Sequence, residues 1–229
     1  SFTLIVAMDL WVASMQTLSL VLIAALVAVA IAIPLGIWSA RNDTVRAVLK
    51  PVLDFMQTMP GFVYLIPAIT FFSIGVVPGV VATVIFALPP GVRLTELGIR
   101  GVDAETVEAG NAFGAKPGQI LRGIQLPLAM PTIMAGVNQV IMLALSMAVL
   151  AGIVGADGLG KLVVQSVSTA RLGIGVEAGL AVVIIAVYLD RVTAALGAPR
   201  EHPTSLTGIA ARRRTAAQTS APAAAPGAD

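Results

Sequence analysis

The chain has 229 residues, of which 57% are hydrophobic and 11% charged, with a mean hydropathy of +0.93 and a formal charge of +2. Soluble domains have about a quarter of their residues charged, so this is a chain whose main solvent is lipid, which argues against a soluble enzyme or a nucleic-acid binder. Cys is absent and the one histidine, His202, lies in a polar tail, so thiolate chemistry and a His-based acid–base or zinc site in the apolar body are excluded.

The N-terminal segment, 1–16, opens with an apolar run at residues 1–8 that is too short to span, read either as the end of a helix or as a short surface segment. Three long uncharged stretches follow: Leu10 to Ala40 (31 residues), Phe55 to Val92 (38 residues) and Gly123 to Ala156 (34 residues). A transmembrane helix needs about 20 apolar residues. The second stretch is too long for one span and carries a break at Gly75-Val-Val-Pro78-Gly79. Five spans are expected, near 17–38, 54–74, 79–98, 128–152 and 177–196. Pro60-Gly61 and Pro67 should break the second, and Pro89-Pro90 should bend or interrupt the third.

With five spans, 12 of the 14 basic residues fall on one side, and only Lys161 and Arg171 on the other. By the positive-inside rule the 91–126 loop and the C-terminus are cytoplasmic. Residues 198–229 are rich in Ala, Pro, Ser and Thr and should be a disordered cytoplasmic tail. The body is therefore one all-α integral membrane domain, 17–197.

The 91–126 loop is patterned. Asp103 is a good N-cap, and Glu105 puts negative charge in a first helical turn. Val102, Ala109 and Phe113 share one helical face. Ala104, Ala109, Gly110 and Ala112 are small and suit close approach by another surface. Gly114 is placed as a C′ glycine, with Pro117 beyond it. A second short helix, about 118–124, should lead to Leu126-Pro127 and the fourth span.

These residues resemble a known pattern. Glu108-Ala109-Gly110 is followed three residues later by Gly114, and nine residues then lead to Ile124-Gln125-Leu126-Pro127. The spacing is that of the cytoplasmic loop of importer-type ABC permeases, with Gly110 in place of the usual second Ala. Thr17 to Arg41 looks like the family's first core helix. Leu126 to Gly160 and Glu177 to Thr193 are similar to permeases for glycine betaine, proline and choline.

The resemblance implies a permease subunit in a bacterial-type cytoplasmic membrane, moving a small compatible solute. It implies coupling through the 103–123 loop to a separate ATPase, which hydrolyses the ATP, so that this chain binds no cofactor. It also implies an extracytoplasmic binding protein and a second permease subunit, identical or closely related. In that family the short loop helix docks on the ATPase. Glu108 would pair there with a basic group or cap locally, Gly114 would set the turn, and Leu126-Pro127 would start the fourth span.

Asn138, Gln139 and Ser146 lie within the fourth span, as translocation-path residues or as interhelical hydrogen-bonding groups. The amphipathic aromatics Trp11, Trp38, Tyr64 and Tyr188 fall near span ends and suit interface anchoring. Gly175 and Gly179 form a small-xxx-small pair for helix contact. Gly155 to Lys161 approaches a phosphate-binding loop, but Leu162 stands where Ser or Thr should hold magnesium, and no strand precedes it. A glycine-rich turn is the better account. An ion-driven secondary transporter, a membrane enzyme built on Asp103, Glu105 and Glu108, and an ABC permease for amino acids, metals or phosphonates are the alternatives.

Overall fold

The computed structural model describes residues 5–6 and 8–197. The expectation of a disordered tail lies outside these residues. Every long element is helical: α1 (Trp11–Arg41), α2 (Asp43–Thr58), α3 (Leu65–Phe72), α4 (Val76–Arg100), α5 (Ala104–Ala112), α6 (Pro117–Ile120), α7 (Leu126–Leu150), α8 (Leu159–Ser168) and α9 (Leu172–Gly197). Single turns of 3₁₀-helix at Gly61–Tyr64 and Ala151–Val154 and a π turn at Leu121–Gln125 join them. Among the described residues, four helical stretches are long and apolar enough to cross a membrane: α1, α4, α9 and the continuous run Pro117–Val154.

The second expected span is not one helix. α2 and the Gly61–Phe72 segment meet at 108°. Pro60 supplies the reason: it restricts the residue before it to extended backbone, and Met59 has φ −80° and ψ 132°. α2 carries Asp43, Arg46, Lys50 and Asp54 along one polar stripe, which suits a membrane boundary better than its interior. Counting the bent pair as one crossing restores five spans.

The third expected span, where Pro89-Pro90 should bend or interrupt the helix, is not interrupted. α4 runs through Pro89 and Pro90, both buried. Neighbouring helices brace the chain where prolines remove hydrogen bonds. Gly91, directly after them, has Ala32 of α1 and Val140 of α7 so close that a Cβ would lie 2.8 Å and 3.0 Å away. The turn before α4 falls at Ser73–Gly75, both with positive φ, and Pro78 sits in the helix's first turn.

Small residues hold α1, α4 and α7 together. A Cβ on Gly36 would lie 2.5 Å from Thr95 Cβ, one on Gly136 2.9 Å from Leu94 Cβ, and one on Gly98 3.1 Å from Thr132 Cβ. Helices in lipid gain nothing from hiding apolar surface from lipid, so close backbone approach through small residues drives their association. Gly175 serves the same end, with Ser166 of α8 against it, whereas a Cβ on Gly179 would meet nothing within 4 Å among the described residues. Trp11 and Trp38 are exposed, but Tyr64 is buried, its hydroxyl donating to Met56 O and its ring edge-on to Phe86 at 5.8 Å. Tyr64 is thus a core residue and not an interface anchor.

Candidate functional site

The α4–α5–α7 loop is pinned at each corner. Gly101 N–H donates to Leu97 O at 2.8 Å and closes α4. Asp103 caps α5, its Oδ1 accepting from Glu105 N–H at 3.2 Å. At the other end Gly114 has φ +77°. Its N–H donates to Asn111 O at 2.9 Å, and Ala115 N–H donates to Gly110 O at 3.1 Å. That pair of bonds is a Schellman cap, which satisfies the last carbonyls of the helix. Lys116 N–H then donates to Gln119 Oε1 at 2.8 Å, with Pro117 opening α6.

The expected second short helix, 118–124, is not separate. α6 passes through the π turn into α7 without a break. Pro127 accounts for the wide turn: in a regular α-turn its ring would clash with the carbonyl of Gly123. Leu126 N–H instead reaches back five residues to Leu121 O. α5 is thereby tied rigidly to the longest helical run in the described chain.

The two halves of the loop motif meet. Gly110 is buried, and a Cβ there would lie 2.8 Å from Ile124 Cδ1 and 3.6 Å from Ile120 Cγ1. Leu126 packs beside Ile99, Leu121, Ala129 and Ile133. The inward face of α5 is therefore Val107 and Gly110, and the residues placed on one face by periodicity, Val102, Ala109 and Phe113, do not point the same way. Val102 turns inward, while Ala109 is exposed and Phe113 is 92% exposed. Gly110 likewise leaves the set of outward small residues, which keeps Ala104, Ala109 and Ala112. Glu108 is exposed on the same side, and its carboxylate makes no ion pair among the described residues. Gly114 and Pro127 are exposed too.

A charged cluster braces the base of this loop. Glu96, its side chain only 16% exposed, accepts from Ser39 Oγ at 2.7 Å and pairs with Arg46 Nε at 2.7 Å and Arg100 Nε at 3.7 Å. Arg100 also holds Asp43 at 2.6 Å and the Ser39 carbonyl at 3.2 Å. Asp54 pairs with Arg93. Asp54 and Glu96 both lie near the ends of the expected spans. That a carboxylate follows Arg93 and precedes Arg100 at helical spacing was the available signal.

The three polar residues of the fourth span part company. Asn138 Nδ2 donates to Asp190 Oδ1 of α9 at 3.1 Å, and its own Oδ1 is buried without a partner. Gln139 and Ser146 lie seven residues apart on the exposed face of α7, with Ser146 Oγ bonded to Met142 O at 3.1 Å. Asp190 lies near the end of the last expected span, 177–196.

The glycine-rich stretch after α7 is a packing joint. A Cβ on Gly152 would lie 2.3 Å from the backbone carbon of Gly160, so two backbones touch there. Leu159 N–H donates to Thr17 Oγ1 of α1 at 2.8 Å, and Lys161 pairs with Asp157 at 2.7 Å.

Residues 32–198 match the family described as binding-protein-dependent transport system inner membrane component. The chain belongs to that family. It is 55% identical over 192 residues to the glycine betaine transport system permease protein OpuAB of Bacillus subtilis (strain 168), covering 84% of this chain and 68% of the relative. It is 57% identical to the glycine betaine/carnitine transport permease protein GbuB of Listeria monocytogenes, covering 82% and 67%. It is 52% identical to the glycine betaine/proline betaine transport system permease protein ProW of Escherichia coli (strain K12), covering 83% and 54%. The fold is similar to that of a chain in an inward-facing conformation of the MetNI methionine ABC transporter, with a TM-score of 0.75, 21% identity and coverage of 82% and 94%. A chain of an amino acid ABC transporter gives a TM-score of 0.62 at 18% identity, covering 86% and 94%.

Membership makes this a multi-pass inner-membrane transport subunit that works with a substrate-binding protein and an ATPase. It sets aside the ion-driven transporter and the membrane-enzyme readings.

Proposed function

We propose that this chain is the permease of an ATP-driven importer for glycine betaine or a related methylated compatible solute. The observation that carries the solute class is identity above half, over more than four-fifths of this chain, to relatives named for glycine betaine. In this reading the partner subunit hydrolyses the ATP, and the stretch from Gly155 to Lys161 serves as a packing joint, with a Cβ on Gly152 only 2.3 Å from the backbone carbon of Gly160.

Coupling to the ATPase runs through α5. Its outward side presents Ala104, Glu108, Ala109, Ala112 and Phe113. Movement of α5 passes through Gly110 and Ile124 into α7, and through the Asp103 cap and Gly101 into α4. Gly114, Leu126 and Pro127 keep the joint stiff. The basic-residue asymmetry supports a cytoplasmic side for this loop and the C-terminus. A second permease subunit covers the exposed face of α7, so that Gln139 and Ser146 line the path between the two copies. Asn138 serves the α7–α9 contact instead.

Reconstitution with the cognate ATPase and binding protein tests the solute. The reading expects ATP-dependent uptake of labelled glycine betaine into vesicles, competed by carnitine or proline betaine. Uptake of methionine or a metal ion in its place, with no response to betaine, overturns the solute class.

A further inference from the structure

Between α2 and α4 lies a cleft of about 300 Å³ bordered by Arg46, Lys50, Arg93 and Arg100, with Glu96 as the one carboxylate in its wall. Two more carboxylates reach these cations from nearby: Asp54 takes Arg93 and Asp43 takes Arg100. Three acids thus stand against four cations. Lys50 is the cation left over, exposed and with no carboxylate partner among the described residues. Arg46 meets Glu96 through Nε, which leaves its terminal nitrogens free to donate. The cleft therefore carries one uncompensated positive charge and spare donors.

Its other half is apolar. Leu53, 3% exposed, and Leu97, 61% exposed, also line it. Arg93 is the first charge after the 38-residue uncharged stretch, so the cleft sits where the apolar part of the helix ends. Val48, Val52 and Phe55 form an exposed apolar stripe on α2, on the side away from its charges. α2 thus turns carbon outward and charge toward α4, as a helix at the lipid–water boundary does.

We infer that this cleft binds one anionic phospholipid. The headgroup phosphate lies against Lys50, Arg46 and Arg93, and an acyl chain leaves over Leu97. Basic pockets at the cytoplasmic ends of spans bind lipid headgroups through this combination of charge and adjacent apolar surface. A free phosphate ester would use the same donors without the leucines. The inference does not depend on which solute is transported.

The test is native mass spectrometry of the full chain in mild detergent, titrated with phosphatidylglycerol, phosphatidylcholine or glycerol phosphate. One phosphatidylglycerol should bind in preference to phosphatidylcholine, and glycerol phosphate should not displace it at equal concentration. Lys50→Gln should weaken that binding roughly fivefold and Lys50→Glu more, while Lys50→Arg retains it. Lys161→Glu, on an ion pair far from the cleft in the sequence and on another helix, should leave it unchanged. Lys50 has no partner to orphan, so these variants should fold, and an unchanged melting temperature checks that. Equal binding of phosphatidylcholine, displacement by glycerol phosphate, or equal loss in Lys50→Glu and Lys161→Glu each overturns the inference.

Discussion

Gly110 and Ile124 are in contact: a Cβ on Gly110 would lie 2.8 Å from Ile124 Cδ1. This one contact joins the Glu-Ala-Gly half of the loop motif to the Ile-x-Leu-Pro half. The obstructing atom is the tip of a flexible side chain, so Gly110→Ala should be accommodated by a small turn of Ile124. It also removes the helix penalty of glycine, about 0.5–1 kcal/mol. Uptake by Gly110→Ala should stay within about twofold of the parent. Gly110→Leu cannot be accommodated in this way and should separate α5 from α6, giving ATP hydrolysis without uptake in reconstituted vesicles.

Gly114 makes a different demand. Nothing lies within 4 Å of a Cβ there, so space is not the issue; φ of +77° is. A left-handed residue costs about 1–2 kcal/mol for ordinary side chains, and Asn tolerates it best. Gly114→Val should abolish uptake while the protein still reaches the membrane, and Gly114→Asn should keep a substantial part of it. Equal loss in both variants would show that size, and not backbone geometry, matters at this position.

Phe113 is a large apolar side chain with 92% of its surface exposed. Buried aromatic anchors contribute about 2 kcal/mol or more to interfaces. Phe113→Ala should therefore weaken ATPase association more than tenfold, with no loss of thermal stability in the isolated chain. Co-purification of the ATPase across a salt series measures it.

Asn138 and Asp190 hold α7 to α9. Asn138→Leu removes the donor and leaves the Asp190 oxygen without its partner, which costs about 1–3 kcal/mol. Asp190→Asn retains an acceptor and should cost less. The order of melting temperatures in detergent should be parent, Asp190→Asn, Asn138→Leu.

Much of this was legible in the sequence because it depends on spacing. The Asp103 cap, the Gly114 turn and the junction at Leu126-Pro127 are local, and short-range residue chemistry specifies them. What escaped was direction. Val102, Ala109 and Phe113 share a face by periodicity, but nothing in a nine-residue helix says which side meets the protein, and Val107 with Gly110 took that role. The uninterrupted α4 was hidden because proline breaks a helix only when no neighbour braces it, and the bracing comes from Ala32 and Val140, distant in sequence. The Glu96 cluster was hidden for the same reason: Ser39 and Glu96 are 57 residues apart.

The central claim is that α5 is the ATPase-docking element. The chain has no cysteine, so a single Cys in place of Ala112, exposed at the end of α5, is a clean probe. In native membranes it should crosslink to the ATPase subunit, and a Cys in place of exposed Val167 on α8 should not. Crosslinking from position 167, or none from 112 in membranes where the ATPase is present and uptake is active, would contradict the account.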